Sequence, residues 1–70
     1  MRNAVRVFRM DLGLTQEELA EQVGVTRQTI GLIEKEKYNP TISLALSLSE
    51  ALGKSLDDLF WMETSKHEKR

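Results

Sequence analysis

The chain has 70 residues, no cysteine, one proline, one histidine and a formal net charge of −1. That length makes one domain, and a domain so small buries only about 60% of the surface its unfolded chain exposes, so its core is thin unless supplemented. Zero cysteines remove disulfides and thiolate metal sites, and the lone His67 stands among charged residues, which leaves oligomerisation as the expected supplement.

In chain order, residues 2–12 read as a first helix with Val5, Phe8 and Leu12 on one face, stopped at Gly13. Thr15, with Glu18 three residues on, makes a capping box that opens a second helix over 16–23, whose apolar side is Leu19, Ala20 and Val23. Gly24 stops it. Thr26 is the N-cap of a third helix, 27–35, carrying Ile30 and Ile33 inward. Thr41, after Pro40, opens a fourth helix over 42–52 that is apolar nearly all round, so it is central or faces both the core and a partner. Gly53 ends it. Ser55 caps a fifth helix over 56–61, with Asp57 and Asp58 at the favourable end of the dipole. The run Phe60-Trp61-Met62-Glu63-Thr64 is also compatible with a short strand. The fold class expected is all-α: a five-helix domain over 1–62, followed by a polar tail over 63–70.

The informative stretch is QEELAEQVGVTRQTIGLIEK, Gln16 to Lys35: helix, tight turn, helix. Ala20 is the small residue where two crossing helices come closest. Gly24 is the turn residue able to take a positive φ. Leu19, Val23, Val25, Ile30 and Ile33 bury the inner faces. Arg27, Gln28, Gly31, Leu32 and Lys35 recur at three- and four-residue spacing and share an outward face.

With LGLTQEELA before it, IEKEKYNPT after it and ALGKSLDDLF towards the end, this stretch resembles the helix-turn-helix of the lambda repressor and Cro-like family, also called the xenobiotic-response-element family. The resemblance runs from about Val5 to Phe60, and small stand-alone members with a YNP phrase after the third helix are most similar. It implies a DNA-binding domain, usually dimeric, that regulates transcription. It also implies an ion pair between Arg9 and Glu34, joining the first helix to the end of the third.

The residues support the same reading independently. Arg27 sits in the first turn of its helix, where the dipole disfavours a cation by roughly 0.3–1 kcal/mol; stability did not select it. Arginine pairs bidentately with guanine, and Gln28 beside it has the groups to pair with adenine. Leu32, four residues on, either covers a thymine methyl or packs sideways against Tyr38 or the first helix. Gly31 costs its helix about 1 kcal/mol against alanine, which a close backbone approach to DNA or plain tolerance explains equally. Gln16, Thr26, Thr29, Lys35, Lys37 and Asn39 are the candidate phosphate contacts, Gln16 because a helix N-terminus suits an anion.

A charge near zero runs against the basic balance frequent in nucleic-acid-binding domains. Its distribution answers the objection: residues 1–14 sum to +2 and 26–40 to +1, while 15–25 carry −3 and 41–60 carry −2. Modest non-specific affinity follows, not absence of binding.

Leu56, Leu59, Phe60, Trp61 and Met62 are very apolar for the exit of a small domain. Some close the core, and the remainder is expected to form a two-fold dimer, with Leu44 and Leu48 of the fourth helix as the alternative interface. The function expected is a sequence-specific transcriptional regulator, a repressor, binding an inverted-repeat DNA operator as a homodimer. The competing reading is an antitoxin or protein-bridging module on the same fold, lowered by the lack of a long segment to wrap a partner. An enzyme is not expected: there is no cysteine, no glycine-rich phosphate loop and no carboxylate pair in an apolar setting. No cofactor, metal or small-molecule ligand is implied. No apolar run approaches the roughly 20 residues of a membrane span, and the N-terminus lacks the features of a signal peptide, so the expected location is cytoplasmic, at the nucleoid.

Overall fold

A computed structural model describes residues 1–62. Its elements are β1 (Arg2–Asn3), α1 (Val5–Asp11), α2 (Gln16–Val23), α3 (Arg27–Glu34), α4 (Ile42–Leu52), α5 (Leu56–Leu59) and β2 (Phe60–Trp61). The polar tail expected over 63–70, with His67 and the far end of the extended reading at Thr64, lies outside the described residues.

Four of the five helices begin at a hydroxyl, as the sequence predicts. Thr15 Oγ1 accepts the Glu18 amide at 3.0 Å while Glu18 Oε1 accepts the Thr15 amide at 2.8 Å, which completes the capping box. Thr26, Thr41 and Ser55 accept the amides of Thr29, Leu44 and Asp58 at 3.1–3.2 Å. Each such cap contributes about 1 kcal/mol by satisfying an amide that has no partner inside its helix.

The first helix departs from the prediction. It starts at Val5, not at residue 2, and Leu12 lies beyond its end and is exposed. Arg2 and Asn3 are extended and pair antiparallel with Trp61 and Phe60, which correspondingly ends α5 at Leu59 rather than at residue 61. The cause is Asn3. Its Oδ1 accepts the Val5 amide at 3.1 Å, its Nδ2 donates to the Ile33 carbonyl at 2.8 Å, and the next amide, Ala4, donates to Leu59 O at 2.9 Å. Two long-range bonds, to Ile33 and Leu59, and one local cap outweigh one further helical turn. The all-α expectation thus acquires a two-stranded ribbon joining the chain's beginning to its exit, and the extended reading of Phe60-Trp61 holds.

Nine apolar residues form the core: Val5 from α1; Leu19 and Ala20 from α2; Ile30 and Ile33 from α3; Leu44, Leu48 and Leu52 from α4; and Leu59 from α5. Helix α4 is central, packing on α1, α2 and α5. Its buried stripe is Leu44, Leu48 and Leu52, so Leu44 and Leu48 have no surface for a partner. Ile42 and Leu46 are its exposed apolar residues instead. No helix among the described residues is long and apolar enough to cross a membrane.

Two turns set the angle of α3. Gly24 takes φ +77°, the left-handed region that glycine enters without steric cost, and Val25 N closes back on Ala20 O at 3.0 Å. After α3 the same left-handed conformation falls on Glu36, φ +63°. Glu36 N donates to Ile33 O and Lys37 N to Leu32 O, each at 2.9 Å, the paired bonds of a Schellman motif. A glutamate there costs about 1–2 kcal/mol, and its half-exposed ion pair with Arg2, at 3.5 Å, offsets little of that.

Candidate nucleic-acid interface

Helix α3 is held at both ends and offered to solvent between them. At its start Thr26 caps it, and the Thr26 and Thr29 hydroxyls lie 3.0 Å apart. Both threonines, candidate phosphate contacts by sequence, are therefore also part of the helix start. At its end Asn3 and the turn at Glu36 take up the carbonyls of Leu32 and Ile33.

The third fastening is Glu34. Its Oε2 accepts from Arg9 Nε at 2.7 Å, and its Oε1 accepts from Arg9 Nη2 at 3.3 Å and from Gln16 Nε2 at 3.0 Å. Arg9 Nη1 donates in addition to Leu14 O at 2.7 Å. The two side chains are 11% and 4% exposed, so the pair is withdrawn from water. One carboxylate thereby joins α1, the first residue of α2 and the last residue of α3. The ion pair implied by the resemblance is present, and Gln16 is an addition to it. Because the carboxylate accepts only, the nitrogen of the Gln16 amide must face it. A buried pair of this kind contributes little net stability against an apolar replacement; what its bonds do is tie the end of α3 to α1 and α2.

Between these fastenings Arg27, Gln28 and Leu32 are exposed, as is Lys35. None of the three polar side chains makes a hydrogen bond or ion pair among the described residues. Together with Gln16 and Gly31 they line one open hollow of about 370 Å³ on the outward face of α3. Five residues that the sequence puts on one face, and Gln16 from the neighbouring helix, are thus adjacent in space. Leu32 is 38% exposed on that face. Lys37 and Asn39 are exposed on the loop after α3. A Cβ added at Gly31 meets only Gln16 Nε2, at 3.8 Å, so packing within the domain does not require glycine there.

The apolar exit divides. Leu59 is fully enclosed in the domain's own core and has no surface for a partner, which corrects its place among the interface residues. Leu56 and Phe60 are half-buried, and Phe60 packs on the core. Trp61 and Met62 are 43% and 69% exposed.

Sequence reasoning passed over Asn3 and Glu36. An asparagine two residues before an apolar helix start is a recognisable cap signal. The left-handed Glu36 carries no signal, since nothing in its side chain prefers that conformation.

These features define a class: a helix-turn-helix domain whose second helix, α3, is capped, tied back and presented outward with its exposed polar side chains unpartnered among the described residues. The family model described as helix-turn-helix matches residues 5–59. The chain belongs to that family. It is 52% identical over 64 residues to an uncharacterized HTH-type transcriptional regulator of Methanothermobacter thermautotrophicus, covering 90% of this chain and 93% of the relative. It is 46% identical over 63 residues to the uncharacterized HTH-type transcriptional regulator YgzD of Bacillus subtilis, covering 90% and 96%. Among solved structures it superposes on the restriction-modification controller protein C.AhdI of Aeromonas hydrophila with a TM-score of 0.74 and 34% identity, covering 80% of this chain and 85% of that one.

Proposed function

We propose that this protein is a sequence-specific DNA-binding transcriptional regulator that acts as a repressor, occupying an inverted-repeat operator as a homodimer. The observation that carries the reading is the outward face of α3. Arg27 and Gln28, two side chains with the donor and acceptor geometry to read guanine and adenine, stand exposed and unengaged beside Leu32, a fit for a thymine methyl. The helix beneath them is fixed from three directions. Lys35, Lys37 and Asn39 follow on one side to meet phosphates, which position the helix without reading sequence.

Dimerisation rests on Trp61 and Met62, large apolar side chains left in water by a domain of small core. A two-fold interface uses one such cluster twice. It would set two copies of α3 into successive major grooves, with half-sites inverted and about 10–10.5 base pairs apart. The names of the relatives, transcriptional regulators and a controller protein, agree with this role. The test is selection of bound sequences from a random duplex pool, with the stoichiometry of the selected complex measured. An inverted repeat bound by two chains is expected; no enriched sequence would refute the reading.

A further inference from the structure

Arg6 stands on α1 one turn before Arg9 and is exposed. Residues three apart share a helix face, so the bonds pinning Arg9 to Glu34 also bring Arg6 to the seam between α1, α2 and α3. A second hollow of about 290 Å³ opens there, lined by Arg6, Gln16, Gly31, Glu34 and Lys35. It shares Gln16, Gly31 and Lys35 with the hollow on the reading face, so the two adjoin.

Three properties make this second hollow a place for an anion. Two cations flank it, Arg6 on α1 and Lys35 just past the end of α3, and neither is engaged in an ion pair or side-chain hydrogen bond among the described residues. The carboxylate of Glu34 is already compensated by two bonds from Arg9 and one from Gln16, and its side chain is 4% exposed, so it presents little negative charge outward. Gly31 leaves the wall open, since no side chain projects from α3 at that point. An arginine also suits a phosphate better than a bare charge, because its planar fork matches two phosphate oxygens at once.

We propose that Arg6 and Lys35 clamp a phosphodiester of the DNA backbone over this hollow, so that α1 carries a phosphate contact beside the base-reading face of α3. The inference rests on the DNA-binding reading above. Among the described residues Arg6 uses none of its charge in holding the fold, and its contact would fix how deeply α3 enters the groove.

The test uses the full chain and its selected duplex, titrated across a range of salt concentrations. Arg6→Ala should weaken binding on the operator and on unrelated duplex to the same degree. It should also flatten the salt slope by about 0.9 for each protomer bound. Arg6→Lys should retain the slope. Arg6→Ala should fold normally, since alanine at an exposed helix position favours the helix, and its far-ultraviolet circular dichroism checks this. Neutral methylphosphonate linkages introduced one at a time locate the contact: one of them should weaken the wild type and leave Arg6→Ala unaffected. A wild-type slope in Arg6→Ala, or a methylphosphonate penalty the same in both proteins at every linkage, overturns the clamp. So does saturable binding of inorganic phosphate at Arg6 in a protein whose DNA slope does not depend on Arg6. Should the wild type itself bind no duplex preferentially, the function proposed above fails with it; normal wild-type binding with an unaltered Arg6→Ala slope removes the clamp alone.

Discussion

Replacing Arg9 and Glu34 singly and together separates what their ion pair does for stability from what it does for orientation. Glu34→Leu leaves the Arg9 guanidinium, 11% exposed, without the acceptor for two of its bonds, at 2.7 and 3.3 Å, and frees the Gln16 amide. An uncompensated buried charge of this kind costs about 3–5 kcal/mol. Against a total stability of about 4–10 kcal/mol for a chain of this size, that is enough to bring the domain close to unfolding. At about 4–8 °C per kcal/mol, the melting temperature should fall by at least 12 °C. Arg9→Met should cost a similar amount, because Glu34 then keeps only Gln16 and Leu14 O loses its donor. The double replacement, Arg9→Met with Glu34→Leu, buries neither charge and should cost less than either single, with about 1 kcal/mol remaining for the unsatisfied Leu14 carbonyl. Urea unfolding followed by far-ultraviolet circular dichroism measures all three. The double variant should nonetheless select its operator with reduced discrimination, since α3 has lost its tie to α1 and α2. Additive losses, or a double variant with wild-type sequence preference, would refute the argument that the pair serves orientation.

Arg27→Ala and Gln28→Ala should each cost about 1–3 kcal/mol on the preferred operator and relax preference at one base pair while leaving unfolding unchanged; equal weakening on every duplex would make them phosphate contacts. Gly24→Val should cost more than about 1 kcal/mol by placing a β-branched residue at φ +77°, and Ala20→Leu should overpack the α2–α3 crossing by roughly 1–3 kcal/mol; unchanged melting temperatures in both would mean that the turn does not set the helix angle. Trp61→Glu should sediment as a monomer, stay helical and lose most operator affinity, because linked half-sites gain from effective concentration; a dimer with normal binding would move the interface to the exposed side of α4, at Ile42 and Leu46.

The local signals of this chain were legible because they are local. A threonine or serine before a helix satisfies amides two or three residues on, and a glycine after it takes a conformation other residues resist, so Thr15, Thr26, Thr41, Ser55 and Gly24 could be placed from their neighbours alone. The outward face of α3 follows from helical spacing in the same way. Tertiary structure decided what depends on partners far along the chain. Asn3 leaves the first helix because Ile33, 30 residues away, takes its amide. Leu59 and Trp61 are nearly adjacent in an apolar run, yet one is sealed in the core and the other half-exposed, a division set by the pairing of β1 with β2. Spacing on one helix cannot show that Gln16, Glu34 and Arg6 meet, since they come from three different helices. Their meeting depends on the angles at which those helices cross, and the angles come from packing the whole core at once.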